Sequence, residues 1–226
     1  QKVLDLDISQ PGPQLFILED VTGAGKTEAA LILAHRLIAA GKAQGLFFGL
    51  PTMATANAMY DRLVKTWLSF YSRPSLVLAH SARTLMDRFN ESLWSGDLIG
   101  SEEPDEQAFS QGCAAWFADS NKKALLAEIG VGTLDQAMMA VMPFKHNNLR
   151  LLGLSNKILL ADEIHACDAY MSCILEGLIE RQARGGNSVI LLSATLSQQQ
   201  RDKLVAAFAR GAEGQQEAPL LGKDDY

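Results

Sequence analysis

The chain holds few of the residues that staple or anchor a protein. Only three of its 226 residues are cysteine: Cys113, Cys167 and Cys173. The number is odd and no CxxC pair occurs, so neither a disulfide framework nor a zinc site is indicated. A reducing, cytoplasmic setting is the default for such a chain. No apolar run approaches the roughly 20 residues of a membrane span, and the N-terminus lacks a basic-then-apolar leader pattern. No membrane partner is expected. Basic residues are outnumbered 20 to 26, for a net charge of −6. That balance argues against a broad basic face for duplex nucleic acid, while leaving room for a narrow track along one strand's backbone.

What is present is a globular composition, 48% hydrophobic, long enough for one large core. Apolar runs alternate with helical stretches. Leu15–Leu18 precedes Thr27–Ala40, Leu46–Leu50 precedes Met53–Phe70, and Leu76–Ala79 precedes Ala82–Asn90. Ile129–Gly132 then precedes Leu134–Val141, Ile158–Ala161 precedes Ala169–Arg184, and Val189–Leu192 precedes Gln198–Arg210. This rhythm predicts an α/β fold with a mainly parallel sheet and helices on both faces. Two stretches break it. Residues 96–112 carry Asp97, Glu102, Glu103, Asp105 and Glu106 with no basic residue, as a solvated acidic insertion would. Residues 211–226 are polar and Gly-containing, as a linker would be.

Ligands of parallel sheets sit at the carboxyl ends of the strands. Two words stand there. The first is Asp20-Val21-Thr22-Gly23-Ala24-Gly25-Lys26-Thr27. Glycines at 23 and 25 let backbone N–H groups turn onto phosphate oxygens. Lys26 supplies a charge for the β/γ-phosphates, and Thr27 offers a hydroxyl to Mg²⁺. The strict pattern has Gly where Asp20 stands, but the cradle of amides runs from Thr22, Gly23 and Ala24 to Thr27. The second word, Asp162-Glu163-Ile164-His165, follows the run Ile158–Ala161. Asp162 is placed to hold Mg²⁺ through water, opposite Thr27. Glu163 is placed to orient and deprotonate an attacking water. His165 can reach polar groups at a neighbouring strand end, which Ser193-Ala194-Thr195 supplies. Alone, an Asp-Glu pair is an ordinary helix start. Downstream of a phosphate loop it is an ATP site.

A loop ending Gly-Lys-Thr, a DExH box and a Ser-Ala-Thr word, in that order, resemble the first RecA-like domain of a superfamily 2 helicase. Three longer stretches narrow the likeness. They are residues 50–59, residues 121–126 with 129–137, and the box in its setting, residues 161–171. All three resemble the CRISPR-associated helicase–nuclease of type I systems. The likeness covers about Leu15 to Thr195. It implies an ATP-dependent translocase on single-stranded DNA, recruited by an RNA-guided surveillance complex and unwinding target DNA in antiviral defence. It implies that Pro51, Thr52 and Thr55, and separately Gly132 and Thr133, touch the DNA backbone. Hydroxyls and exposed amides suit that task, although Thr52 and Thr55 also suit helix capping. It further implies an adenine-reading glutamine about where Gln1 stands.

The resemblance also implies parts that are not found here: a second RecA-like domain with arginine fingers and a nuclease with His-Asp metal pairs. None of His35, His80, His146 and His165 is followed by Asp. The expectation is therefore residues 1–210 as one ATP-binding domain, with little hydrolysis by itself. Two alternatives share the ATP site. One is the motor of another DExH translocase, such as a restriction-system subunit. The other is a nucleotide-gated DNA-binding module that never hydrolyses, which would have no use for Glu163.

Overall fold

The computed structural model describes residues 3–21, 23–67, 76–78, 125–143 and 147–216, without the side chains of 64–67, 76–78 and 215–216. Six strands form one sheet among them: β1 (Leu15–Glu19), β2 (Gly45–Leu50), β3 (Leu76–Leu78), β4 (Ile129–Thr133), β5 (Lys157–Ala161) and β6 (Val189–Ser193). Their order is β1-β6-β5-β2-β4-β3, and every pairing is parallel. Interior strands of such a sheet are covered on both faces and need unbroken apolar runs. Accordingly, all residues of β2, β4, β5 and β6 are buried. Edge strand β1 is only half-buried.

The described helices are α1 (Lys26–Ala39), α2 (Met53–Trp67), α3 (Leu134–Met138), α4 (Asn147–Leu154), α5 (Ala169–Arg184) and α6 (Gln198–Gln216). A single 3₁₀ turn, Ile164–Ala166, precedes α5. An ion pair between Glu28 and Arg62 joins α1 to α2. On the other side, α5 packs along α6 and also touches α3. Parallel crossovers are right-handed. The chain moves one way along the sheet from β1 to β2 to β3 and returns through β4, β5 and β6. The rule therefore sends α1 and α2 to one face and α3 and α5 to the other, where α6 packs along α5. Each helix buries a stripe at helical spacing, for example Ala30, Leu33, Ala34 and Leu37 of α1.

Three helices differ from the sequence expectation. The one expected over Leu134–Val141 stops at Met138. Helix α4 was not anticipated. Its eight residues open on two asparagines and contain Gly153, which makes a weak local signal. Gly153 is there for space, because a Cβ would lie 2.8 Å from backbone and side-chain atoms of Leu125. The helix expected to end at Arg210 runs on through Gly211 to Gln216. Gly211 lets α6 close on α5, since a Cβ would fall 2.2 Å from the Glu180 carbonyl oxygen. The expected helix over 82–90 and the acidic insertion over 96–112 lie outside the described residues.

Candidate nucleotide-binding site

The phosphate loop leaves β1 at Glu19 and enters α1 at Lys26. Gly23 and Gly25 have φ of 85° and 80°, a left-handed backbone that side chains disfavour. Nothing lies within 4 Å of a Cβ built on Gly23. There the backbone angle alone calls for glycine. Gly25 is the N-cap of α1, and no side chain caps the helix. The first amides of α1 are thus left to the loop's concave side, where an anion would find them with the positive end of the helix dipole. Lys26 Nζ donates to the carbonyls of Asp20 and, at 3.0 Å, Val21. Its ammonium is folded back over the loop.

Asp162 follows β5 directly, and its N–H donates to the Gly49 carbonyl of β2 at 2.9 Å. Its carboxylate accepts the Glu163 N–H at 2.9 Å. Burial holds the Asp162 carboxyl above its ordinary range, and the Glu163 charge adds to this. The Glu163 N–H bond and the Lys26 and His165 charges pull the other way. The two words leave the same end of the sheet, from strands separated by β6.

Glu163 has φ of 52°, left-handed for a residue with a Cβ. Such a backbone costs on the order of 1 kcal/mol and tends to occur at functional sites. Glu163 Oε2 lies 3.2 Å from His165 Nδ1. The same nitrogen is 3.4 Å from Ser193 Oγ and 3.5 Å from the Ala194 nitrogen. When protonated, Nδ1 can donate to Glu163. When bare, it can accept from the Ala194 N–H. One ring atom thus serves both the acidic box and the loop after β6. Ser193 Oγ also donates to the Thr195 carbonyl at 3.1 Å, shaping that loop.

Thr52 and Thr55 cap each other. Each backbone N–H donates to the other's hydroxyl oxygen at 3.2 Å, a reciprocal box at the start of α2. Pro51, Thr52 and Thr55 are exposed. Register pairs Leu50 with Thr133, so the turn after β2 sits beside the end of β4. Gly132 is buried and Thr133 is only 9% exposed, so that hydroxyl is mostly enclosed. Gln1 and Thr22 lie outside the described residues. Sequence reasoning missed Glu19 and Arg201, which pair across 182 positions. No local pattern could have announced that contact. Among the described residues no cluster of three or more His, Cys, Asp or Glu is placed to hold a metal, and no helix is long and apolar enough to cross a membrane.

No family model matches the chain. Individual proteins do. Over 206 residues it is 42% identical to the CRISPR-associated endonuclease/helicase Cas3 of Escherichia coli (strain K12), a match covering 90% of this chain and 22% of that protein. The crystal structure of T. fusca Cas3-ADP superposes with a TM-score of 0.73 at 38% identity, covering 90% of this chain and 21% of that one. Over nine-tenths of its length the chain is similar to a segment of Cas3 proteins. It spans about a fifth of the length of these Cas3 relatives. Its sheet and helices are the RecA-like α/β arrangement expected from the sequence. A chain of a CRISPR RNA-guided surveillance complex, pre-nicking, also superposes, with a TM-score of 0.61 at 35% identity, covering 90% of this chain and 18% of that one.

Proposed function

We propose that this chain is the ATP-binding half of an ATP-dependent translocase on single-stranded DNA that serves CRISPR type I interference. The observation that carries the reading is the placement of the two words at nearby strand ends: Lys26 over the loop after β1, and Asp162 and Glu163 after β5, with Glu163 against His165. A pure binding site has no need of Glu163. The likeness to a Cas3 bound to ADP supports nucleotide as the ligand. The likeness to a chain of a surveillance complex supports that complex as the partner.

Lys26 and the first amides of α1 would hold the triphosphate. Thr27 and Asp162 offer hard oxygen donors, which fit Mg²⁺. Bound there, the ion would neutralise phosphate charge. Glu163 would take the proton of the attacking water. His165, Ser193 and Thr195 would carry the state of the phosphates to the strand-end loops. Pro51, Thr52, Thr55, Gly132 and Thr133 would follow the DNA backbone, contacting it through hydroxyls and amides rather than reading bases. Enclosure leaves Gly132 and Thr133 a smaller share of that work than the exposed Pro51, Thr52 and Thr55. The relatives are several times longer than the matched segment. We assign to other parts of the full-length protein the opposite wall of the site with its arginine fingers, the nuclease and the surface met by the complex. An arginine finger is worth about 10³–10⁵ in rate, so this chain by itself should hydrolyse ATP negligibly.

The test is Glu163→Gln in the full-length protein. ATP affinity should stay within about twofold while turnover falls by roughly 10²–10⁴, the usual worth of a general base, and DNA unwinding stops. Unwinding at the wild-type rate would sink the reading.

A further inference from the structure

We propose that Glu19 is a positioning residue that ties the phosphate loop to the loop after β6. The proposal rests on the translocase reading above. Glu19 is the last residue of β1, and register sets it beside Ser193, the last residue of β6. Its two carboxylate oxygens hold different groups. Oε1 accepts the Leu196 N–H at 2.8 Å. Oε2 accepts from the Arg201 guanidinium, in the first turn of α6. Leu196 directly follows the Ser193-Ala194-Thr195 word. One carboxylate therefore fixes both the exit of that loop and the start of the helix beyond it.

The setting sharpens this. Arg201 Nε is buried with no partner, so the guanidinium is anchored through its bond to Glu19. The Glu19 side chain is 26% exposed and that of Arg201 42%, so the pair lies at the surface with the Arg201 Nε enclosed. Charge-assisted bonds of this kind are shorter and stronger than neutral ones. On its other side Glu19 adjoins Asp20, whose carbonyl receives Lys26 Nζ. A change at the phosphates can thus reach the Ser193–Leu196 loop by two routes. One runs from Glu163 through His165. The other runs from Lys26 through Asp20 and Glu19 to Leu196. Both are chains of direct contacts, the physical form that coupling between sites requires.

A bland alternative is that the pair only pins α6 to the sheet edge. The two roles separate in the full-length protein by steady-state ATPase, with and without an oligothymidylate strand, together with the thermal midpoint. For Glu19→Ala the basal rate and the KM for ATP should remain within about twofold, while stimulation by DNA falls on the order of tenfold, within the usual range of site-to-site coupling. Glu19→Gln keeps an acceptor for the Leu196 N–H and should recover most of the stimulation. Arg201→Gln should lie between. Full stimulation in Glu19→Ala overturns the proposal. So does an equal loss of basal and stimulated rates with a lowered midpoint, which marks a structural role. If Glu19→Ala does not fold, full stimulation in Arg201→Gln overturns it. A wild-type protein whose ATPase ignores DNA overturns the translocase reading, and this proposal with it.

Discussion

Lys157 shows how one side chain can set a response to pH. It begins β5 at the end of the sheet opposite the nucleotide site, and it is 7% exposed. Its ammonium donates to the carbonyls of Leu125 and Ala127. Burial pushes its pKa down from 10.5 to about 7, against the pull of Glu128. The unfolded chain therefore binds more protons than the folded one between those two values, so stability rises with pH in that window. The gain between roughly pH 7 and pH 9 should be on the order of 2 kcal/mol, because one proton's difference contributes at most about 1.4 kcal/mol for each step of one in pH. Urea denaturation across that range checks it, and Lys157→Met should flatten the slope. A wild-type slope near zero would mean that the two carbonyls keep the ammonium charged. Lys157 was invisible in the sequence, where it reads as the flank of an apolar run. The places of Gly25, Lys26, Asp162 and Glu163 were legible, because each lies shortly after an apolar run that forms a strand. The backbone of Glu163 and the pairing of Glu19 with Arg201 were not. The pairing joins segments 182 positions apart, and a positive φ at a glutamate has no signature in residue type.

At the scale of elements, the contact of α5 with α6 makes the sharpest demand on sequence. The buried face of α5 is Leu175, Leu178, Ile179, Gln182 and Ala183, while Leu204, Ala207 and Gly211 face it from α6. Arg184 and Arg210 both pair with Glu180, at 2.9 and 3.0 Å. In an exposed helix, Gly→Ala stabilises by roughly 0.5–1 kcal/mol. Gly177 of α5 is exposed with open space at its Cβ, so Gly177→Ala should gain about that much. Gly211→Ala would drive a methyl against the Glu180 carbonyl, and it should lose about 1–3 kcal/mol instead. Thermal melts of the two variants should move in opposite directions. A rise in both would mean that Gly211 is as free as a linker glycine. The same contact explains why the end of α6 was hard to read. Glycine usually marks a helix end, and only the partner helix reveals that this one marks a close approach. The strands were easier, since a buried parallel strand needs an unbroken apolar run and each such run is visible. Helix α4 was lost for the opposite reason, being short, Asn-led and interrupted by a glycine kept for space.

At the scale of the molecule, the strand order brings the loop after β1, the acidic box after β5 and the Ser-Ala-Thr loop after β6 to one edge of the sheet. The candidate DNA residues follow β2 and end β4, farther along the same edge. In the proposed reading, nucleotide sits at the β1-β6-β5 end of this row of strand termini and the polymer track at the β2-β4 end, with His165 at the junction and Glu19 at the outer end, on β1. The most direct test is to follow the backbone amide signals of this chain by NMR while ATP and magnesium are added. The largest shifts should fall on Gly23 to Thr27, with Asp162 and Glu163 next, and they should vanish in Lys26→Ala. Shifts centred elsewhere, or unchanged in Lys26→Ala, would contradict the placement of ATP on this loop.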